Sequence, residues 1–251
     1  MHGNYVNYLT NHFMGMKKFI ILIVAIAFTA ITAEAKVSKT LYMVGDATMA
    51  EYPLDSSTIS ACGWGQMLQQ YLAPNVEVVN AAQIGMSAKV LLETGGIENI
   101  EKLRARSMVF LQFGTNDLKE LEISKHSTLE ALTHRLNDII KLARQNRVNI
   151  ILCTPLAQPY YQDSVLIDRL GGYADNIRHV AAYNHIALLD LEQVTRVWLE
   201  GMTEEEAAQY YVTLNKNELV EGEYQLNQAG AQEVARMAKE AMRNVNSKKL
   251  K

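Results

Sequence analysis

The feature that most constrains this chain is an alternation. Five short runs at residues 41–45, 76–80, 107–113, 148–154 and 186–191, apolar almost throughout, are separated by longer stretches of helical periodicity. Continuous apolar runs belong to strands buried on both faces, and their alternation with helices gives a parallel sheet covered on both sides. Helices are predicted at 66–72, at 87–104 with a break at Gly95-Gly96, and at 128–146, 168–183 and 227–244. In the third of these, Leu132, Leu136, Ile139, Ile140 and Ala143 recur at three and four. One stripe therefore faces the sheet while Arg135, Asp138, Lys141 and Arg144 face water. Ser127 with Glu130, and Thr203 with Glu206, have the capping-box spacing that marks a helix start.

The first residues read differently. Lys17 and Lys18 precede an apolar run over 19–31, which gives way to Ala33-Glu34-Ala35. A basic start, an apolar middle and a small-x-small exit describe a secretory signal peptide cleaved after Ala35. The run falls short of the roughly 20 apolar residues of a spanning helix, so no stable membrane span is expected after cleavage. Residues 1–15 are polar and sit awkwardly ahead of such a signal, which makes Met16 the expected start. The division is thus 1–35 as extension and signal peptide, and 36–251 as a single domain. A periplasmic or secreted bacterial protein is expected.

Hydrophobic residues make up 49% of the chain and charged ones 20%, which suits one well-filled core without repeats or linkers. A net charge of -3, with no basic cluster beyond Lys248, Lys249 and Lys251, sets nucleic acid aside as a partner. Cys62 lies in a Ser/Gly-rich loop and Cys153 ends an apolar run, so two free thiols are expected rather than a disulfide. The histidines, His2, His12, His126, His134, His179 and His185, show no metal-ligand spacing. No metal and no cofactor are expected.

In open parallel sheets, ligands meet the carboxyl ends of the strands. Those ends carry Gly45-Asp46-Ala47-Thr48-Met49, Asn80-Ala81-Ala82-Gln83-Ile84-Gly85-Met86-Ser87, Gln112-Phe113-Gly114-Thr115-Asn116-Asp117 and Thr154-Pro155. With Gly63-Trp64-Gly65-Gln66, the segment from Gly172-Tyr173 to Leu189-Asp190-Leu191, and a late Asn227-Gln228-Ala229-Gly230-Ala231, these blocks resemble the GDSL, or SGNH, hydrolases. Within that superfamily the chain is most similar to the rhamnogalacturonan acetylesterase group, from about Leu41 to Met242. The resemblance implies a flavodoxin-like three-layer α/β/α sandwich, with a five-stranded parallel sheet in the order 2-1-3-4-5.

It also implies a site. In the family a serine in the first block attacks the acyl carbonyl, a late histidine takes its proton, and an aspartate three residues earlier orients that histidine. The second-block glycine and third-block asparagine complete an oxyanion hole. Carried over, the oxyanion pair is present as Gly85 and Asn116. The triad positions hold Ala47, Gly222 and Gln225, none of which can be nucleophile, base or orienting acid.

Neighbours offer weak substitutes. Thr48 stands one residue late, Glu221 and Glu223 flank Gly222 without supplying a proton shuttle, and Asp46 with Asp117 would be a carboxylate pair for glycoside chemistry. The resemblance gives both aspartates structural work. Tyr160, Tyr161, Tyr210, Tyr211 and Tyr224 could gather on the rim of the old cleft, either stacking on sugars or closing loops as half-buried rings.

Candidate ligand contacts are therefore Asp46, Thr48, Tyr160, Tyr161, Tyr224 and Gln225. The leading expectation is a catalytically inactive protein binding acetylated or pectic polysaccharide. An active carbohydrate O-acetylesterase with relocated groups, and an interaction subunit of a glycan-degrading assembly, are the alternatives. The oligomeric state is not legible.

Overall fold

A computed structural model describes residues 39–53, 61–94, 100, 103, 107–118, 128–213 and 224–249. These lie in the compact unit Ser38–Lys251. The five anticipated strands are there: β1 (Lys39–Gly45), β2 (Val76–Asn80), β3 (Met108–Gln112), β4 (Asn149–Cys153) and, after a two-strand hairpin of β5 (Tyr161–Gln162) and β6 (Val165–Leu166), β7 (Ala187–Leu189). They pair in parallel in the order β2-β1-β3-β4-β7, which is 2-1-3-4-5 when only the sheet is counted.

Period-two alternation divides the core. Leu41, Met43, Phe110, Ile151, Cys153 and Leu189 face one layer, holding α1 (Trp64–Leu68, continued by a 3-10 turn over Gln69–Tyr71), α5 (Leu191–Glu200) and α7 (Gln228–Lys249). Val44, Val109, Leu111, Ile150 and Leu152 face the other, made of α2 (Ala88–Glu93), α3 (Leu129–Gln145) and α4 (Gly172–Tyr183). The stripe anticipated on α3 is the buried face of that helix. Strands β1, β3, β4 and β7 thus contribute to both cores, while the edge strand β2 packs Val76 and Val78 on the first alone.

Several boundaries differ from the sequence reading. The N-cap of α3 is Thr128, whose hydroxyl accepts from Ala131 N–H at 3.0 Å; Ser127 lies outside the described residues. Helix α4 starts at Gly172 rather than 168, because Gly171 turns the chain at φ 52°. Helix α5 was not anticipated at all. Its cap is Asp190, read as the end of a strand, and its apolar stripe is short. The hairpins β5/β6 and β8/β9 (Tyr211–Thr213 with Tyr224–Leu226) were missed too, being too short for any period to show. The capping box at Thr203 and Glu206 is present, opening α6 (Glu204–Ala208). The Gly95-Gly96 break lies outside the described residues.

Cys62 and Cys153 are free and buried, as expected; burial pushes the Cys62 thiol up to about 11 and raises that of Cys153 as well. Among the described residues no helix is long and apolar enough to cross a membrane.

Two contacts anchor the edges of this frame. Asn227 caps α7, accepting from Gly230 N–H at 3.0 Å, and α7 there lies so close to the preceding loop that a Cβ on Gly230 would stand 2.1 Å from the Tyr210 carbonyl oxygen. At the other edge Arg178 of α4 binds Asp190 through Nε at 2.8 Å and also engages Asp175 and Glu192. Burial raises the Asp190 pKa, but the Arg178 guanidinium, the Thr154 hydroxyl and the Gln193 N–H outweigh it and hold the carboxyl below the usual range.

Gly230→Ala is expected to cost about 3 kcal/mol by forcing α7 off its seat. Gly201→Ala, whose Cβ would approach nothing closer than 3.5 Å, should change stability by less than about 1 kcal/mol. Thermal melts of the two variants check this. For Asp190 the depressed pKa fixes the sign: its contribution is complete above the unfolded value near pH 4 and is lost as pH falls through the folded value. Asp190→Asn should therefore destabilise by about 2 kcal/mol near neutrality, discounted for partial exposure. The gap from wild type should narrow in urea titrations below pH 4.

Candidate active site

The chain leaves β1 for β2 on one side and returns to β3 on the other, so a crevice opens beyond the carboxyl ends of β1 and β3. The turn after β1 fills it. Met49 N–H and Ala50 N–H both reach the Asp46 carbonyl at 3.1 Å, while Asp46 Oδ1 accepts from Thr48 N–H at 2.9 Å and from the Thr48 hydroxyl at 2.7 Å. An aspartate bonding backbone two residues on is a turn former.

From Thr48 a polar chain runs inward. Gln112 Nε2 donates to Thr48 Oγ1 at 2.8 Å, and Trp64 Nε1 donates to Gln112 Oε1 at 2.8 Å. All four residues are buried, none more than 2% exposed. The Gly63-Trp64-Gly65-Gln66 block is explained by the same crossing. Trp64 N–H donates to the Thr48 carbonyl at 2.9 Å, and a Cβ on Gly63 would sit 2.0 Å from the Ala50 oxygen. The Gln66 amide clamps both backbone groups of Tyr52, whose hydroxyl in turn donates to the Ala47 carbonyl at 3.0 Å.

These bonds decide how two anticipated ligand contacts are used. Asp46 and Thr48 lie beneath the turn and hold each other, so neither side chain faces the crevice. The Thr48 hydroxyl, donating to Asp46 and accepting from Gln112, is no replacement nucleophile. Asp117 is fully buried as well, receiving Ala88 N–H at 3.4 Å and standing 3.6 Å from Arg135. The pair of aspartates is framework, not an exposed acid and base.

Ala47 caps this framework at 7% exposure, with a methyl group where the resemblance led to the expectation of a nucleophile. Its N–H, and that of Gly85, donate to no acceptor among the described residues. Gly85 is exposed and adopts φ 80°, a left-handed conformation glycine takes without strain, and a Cβ there would meet nothing within 4 Å. The loop carrying it is pinned to β1 by Gln83 N–H on the Gly45 carbonyl at 3.0 Å. Asn116, in the helical turn after β3, donates from Nδ2 at 2.8 Å to the carbonyl of Met86, the residue after Gly85. Ala47, Gly85 and Asn116 thus follow the carboxyl ends of three neighbouring strands, β1, β2 and β3.

Gln225 sits on β9, buried at 3%, opposite Val212. This strand is tied to the same crossing, since Cys62 N–H donates to the Leu226 carbonyl at 2.7 Å and Ala61 bridges Asn227. Gly222, Glu221 and Glu223 lie outside the described residues. The tyrosines do gather: Tyr160 meets Tyr224 edge-on at 5.1 Å, Tyr224 meets Tyr211 at 6.2 Å, and Trp198 stands against Tyr210 and Tyr211 at 4.9 and 6.5 Å. Tyr161 turns the other way, donating to the Leu199 carbonyl at 2.8 Å. A separate cleft of about 550 Å³ lies along the edge strand β7, beside Arg178 and His185 and away from these donors.

Sequence reasoning did not assign Tyr52, Trp64 or Gln112 a role. A buried tryptophan must place its N–H somewhere, and a glutamine ending a buried strand is a ready acceptor, so the signal was there in kind but not in partner.

Known proteins share this fold. The GDSL-like lipase/acylhydrolase family matches residues 43–232. The probable rhamnogalacturonan acetylesterase YesY of Bacillus subtilis is 24% identical over 208 residues, covering 82% of this chain and 93% of its own. Rhamnogalacturonan acetylesterase RhgT of the same organism is 26% identical over 210 residues, covering 80% and 88%. Among solved structures, the B. subtilis protein YXIM superposes with a TM-score of 0.70 at 23% identity, over 83% of this chain and 57% of that one. The acetylxylan esterase Axe2 of Geobacillus stearothermophilus superposes with a TM-score of 0.59 at 16% identity, over 83% and 96%. The chain belongs to the GDSL-like lipase/acylhydrolase family and is related within it to the rhamnogalacturonan acetylesterases.

Proposed function

We propose that this is an exported, non-hydrolysing member of that family, which holds an acetylated pectic polysaccharide at the retained acyl-binding site. One observation carries the reading: the Ala47 and Gly85 N–H groups have no acceptor among the described residues and follow strand ends adjacent to the one that leads to Asn116, while residue 47 has no hydroxyl and residue 225 no basic nitrogen. Ala47 is buried, and buried backbone donors are almost always paired, so its N–H suits an oxygen supplied from outside. The family resemblance makes that oxygen an acyl carbonyl, and the acetylesterase names of relatives make the acyl group acetyl. The substrate class comes from their names, rhamnogalacturonan and acetylxylan.

Hydrolysis needs more than these donors. Loss of the nucleophile or the base alone costs on the order of 10⁶ in turnover in a serine hydrolase, and the remaining oxyanion site retains roughly 10³ to 10⁴ over water. A glutamine amide neither takes nor returns a proton near neutral pH. Engagement of Thr48 by Asp46 and Gln112 removes the hydroxyl next in sequence to residue 47 as a stand-in.

Purified protein assayed on p-nitrophenyl acetate and acetylated pectin is expected to give no turnover above buffer. In affinity electrophoresis it should be retarded by acetylated pectin and less so after chemical deacetylation. Turnover that Asn116→Ala abolishes would refute the non-hydrolysing reading, and migration unaffected by every acetylated or pectic glycan would refute the binding one.

A further inference from the structure

The two edges of the sheet are finished differently. On β2 the outward backbone groups are taken by a side chain: Gln69 Nε2 donates to the Val76 carbonyl at 2.9 Å, and Val78 N–H donates to Gln69 Oε1 at 2.8 Å. On β7 no side chain does this among the described residues. The run Ala187-Leu188-Leu189 also lacks the lysine or proline that commonly blunts an edge strand. Its outer side opens into the cleft of about 550 Å³, where α4 and α7 contribute Ala181, Ala182 and Ala241, short side chains that let a second backbone approach.

Peptide geometry decides which groups face that cleft. The Leu189 carbonyl accepts from Thr154 N–H at 3.1 Å on the β4 side, so across the trans peptide Asp190 N–H points outward. The parallel register of β7 with β4 turns the Leu188 N–H, the Leu188 carbonyl and the Ile186 carbonyl outward as well. None of these has a partner among the described residues. Their neighbours are already used: Ile186 N–H donates to the Ala181 carbonyl at 3.1 Å, and the Asp190 carbonyl accepts from Val194 N–H at 3.4 Å.

This pattern matches itself. With a second copy antiparallel and Leu188 opposite Leu188, the two leucines exchange both of their backbone bonds, and Ile186 of each copy faces Asp190 of the other. Each Asp190 N–H then donates to an Ile186 carbonyl. The groups already used within each chain face one another, so none is orphaned. A foreign strand in that register would leave its own carbonyl opposite the engaged Ile186 N–H, and its own N–H opposite the engaged Asp190 carbonyl.

We propose that β7 is a homodimer interface, at which two copies pair β7 antiparallel about a twofold axis normal to the sheet and join their sheets into one. The contact is isologous, so α4 meets the α4 of the other copy and the opposite helix layer meets its own counterpart. Strands β3 and β4 separate β7 from β1, so both crevices stay open, at opposite ends of the joined sheet. The pairing does not depend on what the crevice binds.

Analytical ultracentrifugation of the purified protein, combined with residue-resolved amide hydrogen exchange, tests this. At about 50 μM wild type should sediment at twice the monomer mass, and the Leu188 and Asp190 amides should exchange at least about tenfold more slowly than after dilution to monomer. Ala182→Lys, at an exposed position on the cleft wall, sets like charges against each other across the axis. It should sediment as a monomer with unchanged far-UV circular dichroism and rapid exchange at both amides. Ala73→Lys, equally exposed beside the opposite edge, should remain dimeric. Wild type that stays monomeric at about 100 μM would overturn the proposal. A dimer that Ala182→Lys leaves intact, or one whose Leu188 and Asp190 amides exchange as fast as in the monomer, would overturn it too.

Discussion

The structure around the crevice depends on one buried chain of hydrogen bonds, from Trp64 through Gln112 and Thr48 to Asp46. Each of these polar groups would cost several kcal/mol to bury alone, and each is bonded to the next, so the chain is stable only when complete. It joins α1, β3 and the turn after β1 in a single arrangement. The acyl-binding donors follow from it. Ala47 N–H points where it does because Asp46 bends the turn on one side, and Trp64 N–H with the Tyr52 hydroxyl hold the carbonyls of residues 48 and 47 on the other.

That dependence separates scaffold from chemistry. None of the bonds that shape the turn passes through the side chain of residue 47, so a methyl group there leaves them intact. The donors at Ala47 and Gly85 are backbone groups, which come with the fold whatever side chains surround them. The proposed oxyanion-binding arrangement therefore does not depend on the side chains of Ala47 and Gln225.

How much of this was legible follows from the range of the interactions. The strands were readable because continuous apolar runs report burial on both faces, and α3 because its stripe repeats over 17 residues. Helix α5 escaped because it begins on the residue after Asp190, leaving no polar gap between strand and helix. The cap of α3 fell on Thr128 rather than Ser127 because adjacent hydroxyl residues offer the same local chemistry, and tertiary packing selects between them. Asp46 and Thr48 were read as facing a ligand because strand ends usually do. Their burial is set by Gln112, 64 residues further on, a partner that no local pattern names. The pairing of Arg169 with Tyr160 crosses a hairpin too short to be seen in advance.

The most direct test of a retained site without its chemistry is to supply the missing groups together. The Ala47→Ser, Gly222→Asp, Gln225→His protein should hydrolyse p-nitrophenyl acetate and acetylated pectin at least about 10³-fold faster than the parent chain, and Asn116→Ala in that background should remove most of the gain. A correctly folded triple variant with no gain would contradict the account, because the donors at Ala47, Gly85 and Asn116 would then not be arranged to receive an acyl oxygen.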